Sequence, residues 1–433
     1  MPAAATELDA ALAAAHQAHP LWAVLPVAAR ARYIRRASVA LLDELDELAL
    51  RLAEETGWPR SQLLVSELLP AARALRALAD DGPAALADTR LTPRITLLAG
   101  RSTRVVQAPV GLVGVRGPSA SPFAEPALEA AAALLAGNAV ILAAVVPRLR
   151  AIFLRAGIPG ELLTVASEDT DLDAICRRVV DLPRPGRRGM LLVLAGAPRE
   201  RVVEAAVWAG FGRHPAAAGR LVMVRDAVPG LVTALEEAAS ALRVGDPRDA
   251  ATDIAWAIGT SGEGDGASPG PATGTPGAAA DSSRPRVLVV DADDPRFLSP
   301  PDEPTLVVVE AADSEAAIEL AAREARDAPV SIWARDLAKG ERVSRRLPSP
   351  VTWVGQHGIA TTAVPTRIAR HAVPRQLEWR AAWAPGTPRL PADQDLLAAQ
   401  RTLTEVRHGR EARRWPALKA SARALARAAR RER

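Results

Sequence analysis

The stretch from residue 109 to residue 147, PVGLVGVRGPSASPFAEPALEAAAALLAGNAVILAAVVP, constrains the fold of this chain more than any other. Its apolar, β-branched run from Val110 to Val115 predicts a buried strand, which a Gly-Pro-Ser loop follows. A helix is predicted from Ala127 to Ala136, with Gly137-Asn138 as its stop, and then a second buried strand from Ala139 to Leu142. Strand, helix and strand in this order form a βαβ unit, which requires a parallel sheet covered on both faces.

The same stretch resembles the cofactor domain of the NAD(P)-dependent aldehyde dehydrogenases. VGVRGPSASPF followed by AGNAVIL is similar to that family's VGVxxPWNxP, helix and AGNxVxLKP, and Pro118, Pro122 and Gly137-Asn138 set the register. On this register the family's catalytic Asn, whose amide donates to the developing oxyanion, falls on Ala120. Its cofactor-contacting Lys falls on Ala143. The resemblance therefore implies the family's fold without these two functional side chains.

The family's other functional positions are also occupied by different residues. MLLVLAGAPRERVVEAAVWAGF, from residue 190, is similar to the strand and helix that precede the family's nucleophile. The nucleophilic Cys falls on Ala218 when the register is read forward from Trp208, and nearer Ala216 when it is read backward from the strand at 221–224. The general-base Glu falls near Arg184. The ribose-binding Glu falls in PPDEP, residues 300–304, where only the final proline matches in place.

Two segments depart from the family pattern altogether. Residues 171–189, DLDAICRRVVDLPRPGRRG, stand where the family has a further strand and helix with a Gly-Ser loop near the cofactor phosphates. We interpret this segment as too short to hold both elements, and it lacks the glycine loop. Beyond Trp353-Val354, VPTRIARHAVPRQLEWR replaces the family's glycine-rich loop.

The resemblance implies an α/β fold with two lobes, a Rossmann-like cofactor lobe and a catalytic-type lobe, together with a β-hairpin oligomerisation arm. The predicted domains are residues 1–188, with N-terminal helices and the hairpin at about 91–107; residues 189–354, with a disordered low-complexity loop at 261–285; and residues 355–433, with a basic tail helix. The hairpin has two interpretations, an arm that reaches across a dimer interface or an ordinary surface hairpin. The basic tail helix could lie on an anionic membrane or a nucleic-acid backbone. We prefer a solvated or frayed terminus, because its apolar face is mostly alanine and would bury little area.

Composition excludes several classes of function. The net charge is only +4 over 433 residues, so nucleic acid is not expected as a partner. Lys339 and Lys419 are the only lysines, which leaves little room for lysine chemistry. The single cysteine, Cys176, excludes an internal disulfide and a cysteine-based metal cage, and the six histidines lack metal-ligand spacing. We find no signal peptide and no transmembrane segment, and expect a cytoplasmic protein.

Three residues are candidates for relocated chemistry. Cys176 is the only thiol, but no Cys-His arrangement accompanies it, so we interpret it as a structural cysteine rather than a nucleophile. His214 lies close to the family's nucleophile position and His357 at the end of the second lobe. A general base needs a group to activate, and neither histidine has a nucleophile beside it in sequence. We therefore assign no catalytic, cofactor-binding or metal-binding residue.

The leading hypothesis is a catalytically inactive aldehyde dehydrogenase-like protein with a structural or regulatory role, forming a homodimer or a hetero-oligomer with an active relative. Without the family's Lys, phosphate loop and ribose-binding Glu, we expect no cofactor. The rival hypothesis is an NAD(P)-dependent oxidoreductase that acts on an aldehyde or related carbonyl with relocated residues and binds NAD or NADP. A third is a decayed protein without a retained role. Whether the chain is an enzyme is left open by these observations.

Overall fold

A computed structural model describes most of the chain: residues 2–91, 101–117, 121–143, 148–182, 189–214, 216–255, 284–301, 303–326, 328–358 and 364–380. The described chain divides into two compact units. One consists of residues 1–85 and 109–372, and the other of residues 86–108 and 373–433. The domain boundaries after residues 188 and 354 stay predictions. The predicted loop at 261–285 lies outside the described residues except for its last two positions, and the basic tail helix lies outside them entirely.

The amino-terminal region is helical, as its apolar spacing predicts. Its helices are α1 (Pro2–Ala23), α2 (Val27–Asp43), α3 (Leu45–Thr56), α4 (Arg60–Gln62) and α5 (Leu69–Ala85), with a π-helical segment, Leu63–Leu68, between the last two. Ile34 and Leu41 on α2 are fully buried, as are Leu52 on α3 and Leu78 on α5. These side chains recur at helical spacing, so each helix turns one apolar stripe towards its neighbours.

The βαβ unit forms as predicted and belongs to a four-stranded parallel sheet. The strands are β3 (Leu112–Arg116), β4 (Ala139–Ala143), β5 (Leu163–Ala166) and β6 (Arg178–Asp181), in the order β5-β4-β3-β6. The crossover helix α6 (Ala124–Leu135) joins β3 to β4, which pair from Leu112↔Ala139 to Arg116↔Ala143. Helix α7 (Arg148–Arg155) and a 3₁₀ turn, Gly160–Leu162, join β4 to β5. Numbered along the chain, this is the 3-2-1-4 order of a doubly wound half-sheet.

The predicted stop at Gly137-Asn138 has a clear structural reason. Gly137 has φ +98°, a conformation that a side chain disfavours. The buried Asn138 side chain accepts a hydrogen bond from the Gly111 N–H at 2.9 Å and donates to the carbonyls of Ala133 at 3.0 Å and His371 at 2.8 Å. The Gly-Asn pair therefore ends α6 and also holds the start of β3 beside the start of β4.

The prediction that residues 171–189 are too short for a helix and a strand is wrong. A single helical turn, α8 (Leu172–Ile175), is capped by the Asp171 side chain, and β6 follows after two residues. Cys176 has extended backbone, so the helix ends there and the chain enters the sheet at once. Both elements fit because each is only four residues long.

A second parallel sheet has six strands, in the order β11-β12-β8-β7-β13-β14. Its strands are β7 (Met190–Val193), β8 (Arg220–Val224), β11 (Arg286–Val290), β12 (Thr305–Ala311), β13 (Val330–Trp333) and β14 (Thr352–Val354). Its helices are α9 (Arg199–Phe211), α10 (Leu231–Ser240), α11 (Pro295–Leu298), α12 (Ser314–Glu324) and α13 (Leu337–Ser344). Met190 and Leu192 pack into one apolar cluster and Leu191 and Val193 into another, so both faces of the sheet are covered.

The predicted hairpin forms an antiparallel pair, in which β1 (Thr89–Leu91) pairs with β2 (Arg101–Pro109). It is not a lone two-stranded ribbon, because β15 (Ala372–Arg380) adds a third strand beside β2. The remaining elements are a short parallel pair, β9 (Val244–Gly245) and β10 (Ile254–Ala255), and the helix α14 (Val364–Ala369). None of the helices in the described part of the chain combines the length and apolar character that crossing a bilayer requires.

Candidate functional site

The segment between α9 and β8 contains the alanines that replace the family's nucleophile. Ala218 is fully buried, in the apolar cluster that includes Leu191 and Leu221, and its N–H donates to the Ala209 carbonyl at 2.8 Å. Ala217 is also buried, and its carbonyl accepts from the Gly189 N–H at 3.2 Å. A side chain at position 218 therefore meets the apolar core.

A buried histidine lies directly against this segment. One His357 nitrogen, Nε2, is 2.9 Å from the Ala216 carbonyl oxygen, and the other, Nδ1, is 3.1 Å from Ser331 Oγ. A carbonyl only accepts, so Nε2 carries the proton and Nδ1 accepts from the Ser331 hydroxyl. Ser331 Oγ in turn accepts from Trp333 Nε1 at 3.2 Å. Both ring nitrogens of His357 are therefore occupied by the protein itself.

Aromatic rings pack around His357. His214 stacks on Trp208 with ring centroids 4.7 Å apart and planes 6° from parallel, and its Nε2 donates to the Trp208 carbonyl at 3.1 Å. His357 meets the edge of His214 at 5.9 Å and Trp353 at 5.1 Å. We call Trp208, His214, Ser331, Trp353 and His357 the His357 cluster. It brings together His214 and His357, which are far apart in sequence.

Burial lowers the pKa of His357 to about 4, although the hydrogen bond to the Ala216 carbonyl favours the charged ring. The imidazole is therefore neutral at physiological pH. A neutral imidazole can act as a base only if one nitrogen is free to accept, and its one acceptor, Nδ1, already takes the Ser331 proton. The His357 cluster is thus suited to fixing the loop after β14 against the segment at 216–218.

Cys176 lies away from the His357 cluster, between α8 and β6. Its Sγ is only 3.2 Å from the point where a Cβ on Gly114 would stand, so it packs against the middle of β3. Burial raises its pKa to about 11, and the charge of Asp173 adds to the effect. The thiolate is the nucleophilic form, so this thiol is poorly suited to attack a carbonyl at neutral pH.

The carboxyl edge of the four-stranded sheet contains a charged group of three residues. Arg116, at the end of β3, donates from Nε to Asp181 at 2.6 Å and from Nη1 to Asp173 at 2.8 Å. Strands β4 and β6 lie on opposite sides of β3, the first strand of the unit, and sheets of this kind bind ligands at the carboxyl ends of the strands where the strand order reverses. Ala143 is buried at the end of β4. Ala120 and Arg184 lie outside the described residues, as does Asp302 of the 300–304 segment.

The amino end of α6 is occupied by a buried carboxylate that the sequence did not single out. Glu67 Oε2 accepts from the Ser121 hydroxyl at 2.6 Å, the Phe123 N–H at 3.0 Å and the Ala124 N–H at 2.8 Å. Burial raises the pKa of Glu67 to about 7 against these three bonds. The only signal in sequence was a lone acidic residue in the apolar run LLVSELL.

Glu129, near the middle of α6, was missed for the same reason. Its carboxylate is 2.8 Å from His371 Nε2 and 3.3 Å from Arg370 Nη1, and it accepts a further hydrogen bond from Arg367. Glu129 and His371 are both buried. Within the described residues no group of three or more acidic, histidine or cysteine side chains is arranged to hold a metal ion.

Comparison with known proteins bears on both the sequence and the fold. Residues 2–178 match the model of the aldehyde dehydrogenase family. An NAD-dependent benzaldehyde dehydrogenase from Corynebacterium glutamicum superimposes with a TM-score of 0.70 at 19% identity, covering 87% of this chain and 90% of that one. PnpE from Pseudomonas sp. WBC-3 gives a TM-score of 0.73 at 17% identity, with coverage of 87% and 90%. PnpE in complex with nicotinamide adenine dinucleotide gives 0.74 at 18% identity and the same coverage.

The prediction that this protein takes no cofactor is wrong. Structures with this fold include an NAD-dependent enzyme and a complex with NAD. The prediction equated missing side chains with a missing site. Parallel sheets with this reversal of strand order bind ligands at their carboxyl edge, and that strand order is present with an alanine, Ala143, at the end of β4.

Proposed function

We propose that this chain, whose residues 2–178 match the aldehyde dehydrogenase family and whose fold resembles that of solved aldehyde dehydrogenases, is a catalytically inactive member of that superfamily with a structural or regulatory role. The observation that carries the proposal is the environment of the nucleophile position. Alanines occupy it. Both ring nitrogens of the adjacent His357 are engaged in hydrogen bonds, one with Ser331 and one with the Ala216 carbonyl. The residues that the structure describes at this position include neither a thiol nor a free base.

This arrangement removes the covalent route of aldehyde oxidation. In the resembled family a thiolate attacks the aldehyde and an amide donor stabilises the oxyanion, so both charge-bearing steps depend on side chains that Ala218 and Ala120 lack. Loss of one oxyanion donor alone costs about 10²–10³ in turnover. Loss of the nucleophile as well leaves no covalent intermediate to form.

The residues at the carboxyl edge of the four-stranded sheet fit a dinucleotide, and we include NAD(P) binding in the proposal. The Arg116 side chain is one-third exposed, and its Nη2 makes no hydrogen bond within the described residues, so it can donate to a phosphate oxygen. Asp173 and Asp181 can accept from ribose hydroxyls. Bound NAD(P) would supply a hydride acceptor. Arg116, Asp173 and Asp181 would position it at the sheet edge.

The test combines binding with turnover. We expect saturable NAD or NADP binding by calorimetry, weakened about tenfold in Arg116→Gln because a charge-assisted hydrogen bond is lost. We also expect no aldehyde-dependent NAD(P)H formation with short aliphatic or aromatic aldehydes. Ala218→Cys should not restore it, since the new thiol would be buried in the apolar cluster around Leu191. Arg345→Gln, at an exposed position directly after α13, is the matched control.

The rival hypothesis makes the opposite forecast for the same assay. If the unmodified protein oxidises an aldehyde and Cys176→Ala abolishes the activity, the chain is an NAD(P)-dependent oxidoreductase with a relocated nucleophile. The high pKa of Cys176 weighs against this outcome.

We also propose that the protein forms a dimer with a second copy or a hetero-oligomer with an active relative, in the cytoplasm and without nucleic acid. Among the strands that the structure describes, β1 and β15 are the edge strands of the β1-β2-β15 sheet. Edge strands of this kind pair readily with another chain. Light scattering of the purified protein should give a mass of at least twice the monomer; a monomer at micromolar concentration would contradict the homodimer.

A further inference from the structure

A cavity lies at the amino edge of the four-stranded sheet, opposite the edge where a dinucleotide would bind. Its volume is about 210 Å³, the space of several water molecules. The lining comes from α1, the starts of β3 and β4, and the segment before β6. The lining residues are Ala15, His16, His19, Val110, Gly111, Leu112, Ala139, Ile175 and Arg177.

The polar side chains of this cavity are all nitrogen donors or potential cations. His16 and His19 lie one turn apart on α1, and Arg177 faces them from the segment between α8 and β6. No carboxylate is among the described residues that line the cavity. The remaining lining is apolar. The cavity therefore offers positive charge in a partly dehydrated setting, where an electrostatic attraction is stronger than in bulk water.

His19 carries a hydrogen-bonding group without a partner. Its Nε2 is shielded from solvent and makes no hydrogen bond within the described chain, while the ring bonds to the Gly137 carbonyl. A buried polar atom without a partner costs free energy, which a ligand atom would recover.

Arg177 is also without an ionic partner. It has no salt bridge to any residue that the structure describes, in contrast to Arg116, which pairs with two carboxylates at the opposite edge of the same sheet. The Arg177 backbone N–H donates to the Leu112 carbonyl at 3.0 Å, which fixes the residue beside the start of β3. The guanidinium is thus exposed and held next to the cavity.

We propose that this cavity is a binding site for a small oxyanion, a carboxylate or a tetrahedral anion, held by Arg177, His16 and His19. Arg177 supplies the permanent charge, and its planar group can bind two oxygens of one anion. His19 supplies a second donor from Nε2 when its ring is protonated. The volume limits the anion, or the anionic end of a larger ligand, to the size of acetate or sulfate.

The occupied site is expected to depend on pH. Without a bound anion, burial and the charge of His16 lower the pKa of His19, whereas the Gly137 carbonyl favours the protonated ring. An anion in the cavity acts in the opposite direction, so binding takes up protons. The charged or titratable groups facing His19 are His16 on its own helix, Arg177 from the segment before β6, and Arg30, whose guanidinium lies beside Gly137.

The experiment is calorimetric titration of the full-length protein with sodium sulfate and, separately, with sodium acetate. Sulfate keeps its charge between about pH 6 and pH 8, so any pH dependence belongs to the protein. Ionic strength is held constant with chloride. Sulfate alone binding indicates a tetrahedral anion, whereas acetate binding as well indicates a carboxylate. The variants are Arg177→Gln and His19→Gln, with Arg345→Gln as the control for loss of an exposed arginine.

We expect saturable binding at about pH 6 that weakens roughly tenfold at about pH 8, as the His19 ring loses its proton. Arg177→Gln should weaken it about tenfold or more at both pH values, since one charged hydrogen-bond donor is removed. His19→Gln should flatten the pH dependence, and Arg345→Gln should match the unmodified protein. The proposal is overturned if neither anion binds saturably, or if Arg177→Gln binds as the unmodified protein does.

Discussion

Relative to the unmodified protein, the Glu67→Gln variant is expected to gain about 3 kcal/mol in free energy of unfolding as the pH rises from 4.5 to 7. Burial raises the pKa of Glu67 from its usual 4.5 to about 7, so the folded state holds a proton that the unfolded state releases. The contribution of Glu67 is therefore fully present below pH 4.5 and is lost as the pH rises to 7. A glutamine has no proton to lose and removes this dependence.

The geometry makes glutamine a suitable replacement. Its amide oxygen can accept from the Ser121 hydroxyl and the N–H groups of Phe123 and Ala124, as Glu67 Oε2 does. Its NH₂ group would stand where Glu67 Oε1, which is buried, finds no partner in the described chain. The variant thus changes the charge while leaving most of the hydrogen bonding at the amino end of α6.

His357 makes the folding stability depend on pH in the opposite direction, over almost the same pH range. Its pKa is lowered from 6.5 to about 4, so its contribution to stability is present above pH 6.5 and is lost as the pH falls to 4. The two groups offset each other in the unmodified protein, whose stability should change little across this window on their account. In Glu67→Gln the pH dependence due to His357 should remain alone, so the free energy of unfolding should rise with pH. In His357→Gln the dependence due to Glu67 should remain alone, so the free energy of unfolding should fall with pH.

Denaturant unfolding at a series of pH values measures both slopes. Glu341→Gln, which removes an exposed carboxylate on α13, is the control and should follow the unmodified protein. A Glu67→Gln curve parallel to that of the unmodified protein between pH 4.5 and pH 7 would show that folding does not raise the pKa of Glu67, and would contradict the prediction.

Glu129→Ala is expected to lower the free energy of unfolding by about 3–5 kcal/mol near neutral pH. Burial opposes ionisation of Glu129, but the hydrogen bond from His371 and the charges of Arg367, His371 and Arg370 outweigh it and hold its pKa below the usual value. Removing the carboxylate leaves the buried His371 and the mostly buried Arg367 without their shared anion. The loss of stability is large because His371 and Arg367 remain buried in the folded variant and cannot be hydrated in place of the carboxylate.

Glu125→Ala is the matched control for this prediction. Glu125 also binds Arg367, at 3.0 Å, but its side chain is 27% exposed and it has no contact with His371. Its removal should cost about 1 kcal/mol, as expected for an ion pair near the surface. Equal losses in the two variants would contradict a special role for the Glu129 carboxylate. Because the Glu129 pKa is depressed, its contribution should also disappear as the pH falls below 4.5 through that pKa.

Much of the fold followed from local patterns in the sequence. The apolar runs at 110–115 and 139–142, the alanine-rich helix between them and the Gly137-Asn138 stop are all short-range signals, because strand and helix periods repeat within a few residues. They yielded the parallel pair β3–β4 with its crossover α6. The α8–β6 segment was misjudged, because no period can develop in elements of four residues.

Contacts between distant residues could not be predicted in the same way. Glu129 meets His371 across 242 positions, and His357 meets the Ala216 carbonyl across 141. Glu67, 54 positions before Ser121, looked like one more acidic residue on a helix. The spacing of these residues does not indicate that they are partners, because contacts between distant elements do not follow the repeat of a helix or a strand.

By itself the sequence determined the parallel α/β architecture and the alanines at positions 120, 143 and 216–218, because residue identity and local periodicity require no knowledge of distant neighbours. Only the tertiary structure decided that Ala218 faces the apolar core, that His357 is neutral with both nitrogens used, and that Arg116 meets Asp173 and Asp181 at the carboxyl edge of the four-stranded sheet. Burial and partner choice depend on which elements pack together. The same side chains would have ordinary pKa values and free hydrogen-bonding groups in an unfolded chain.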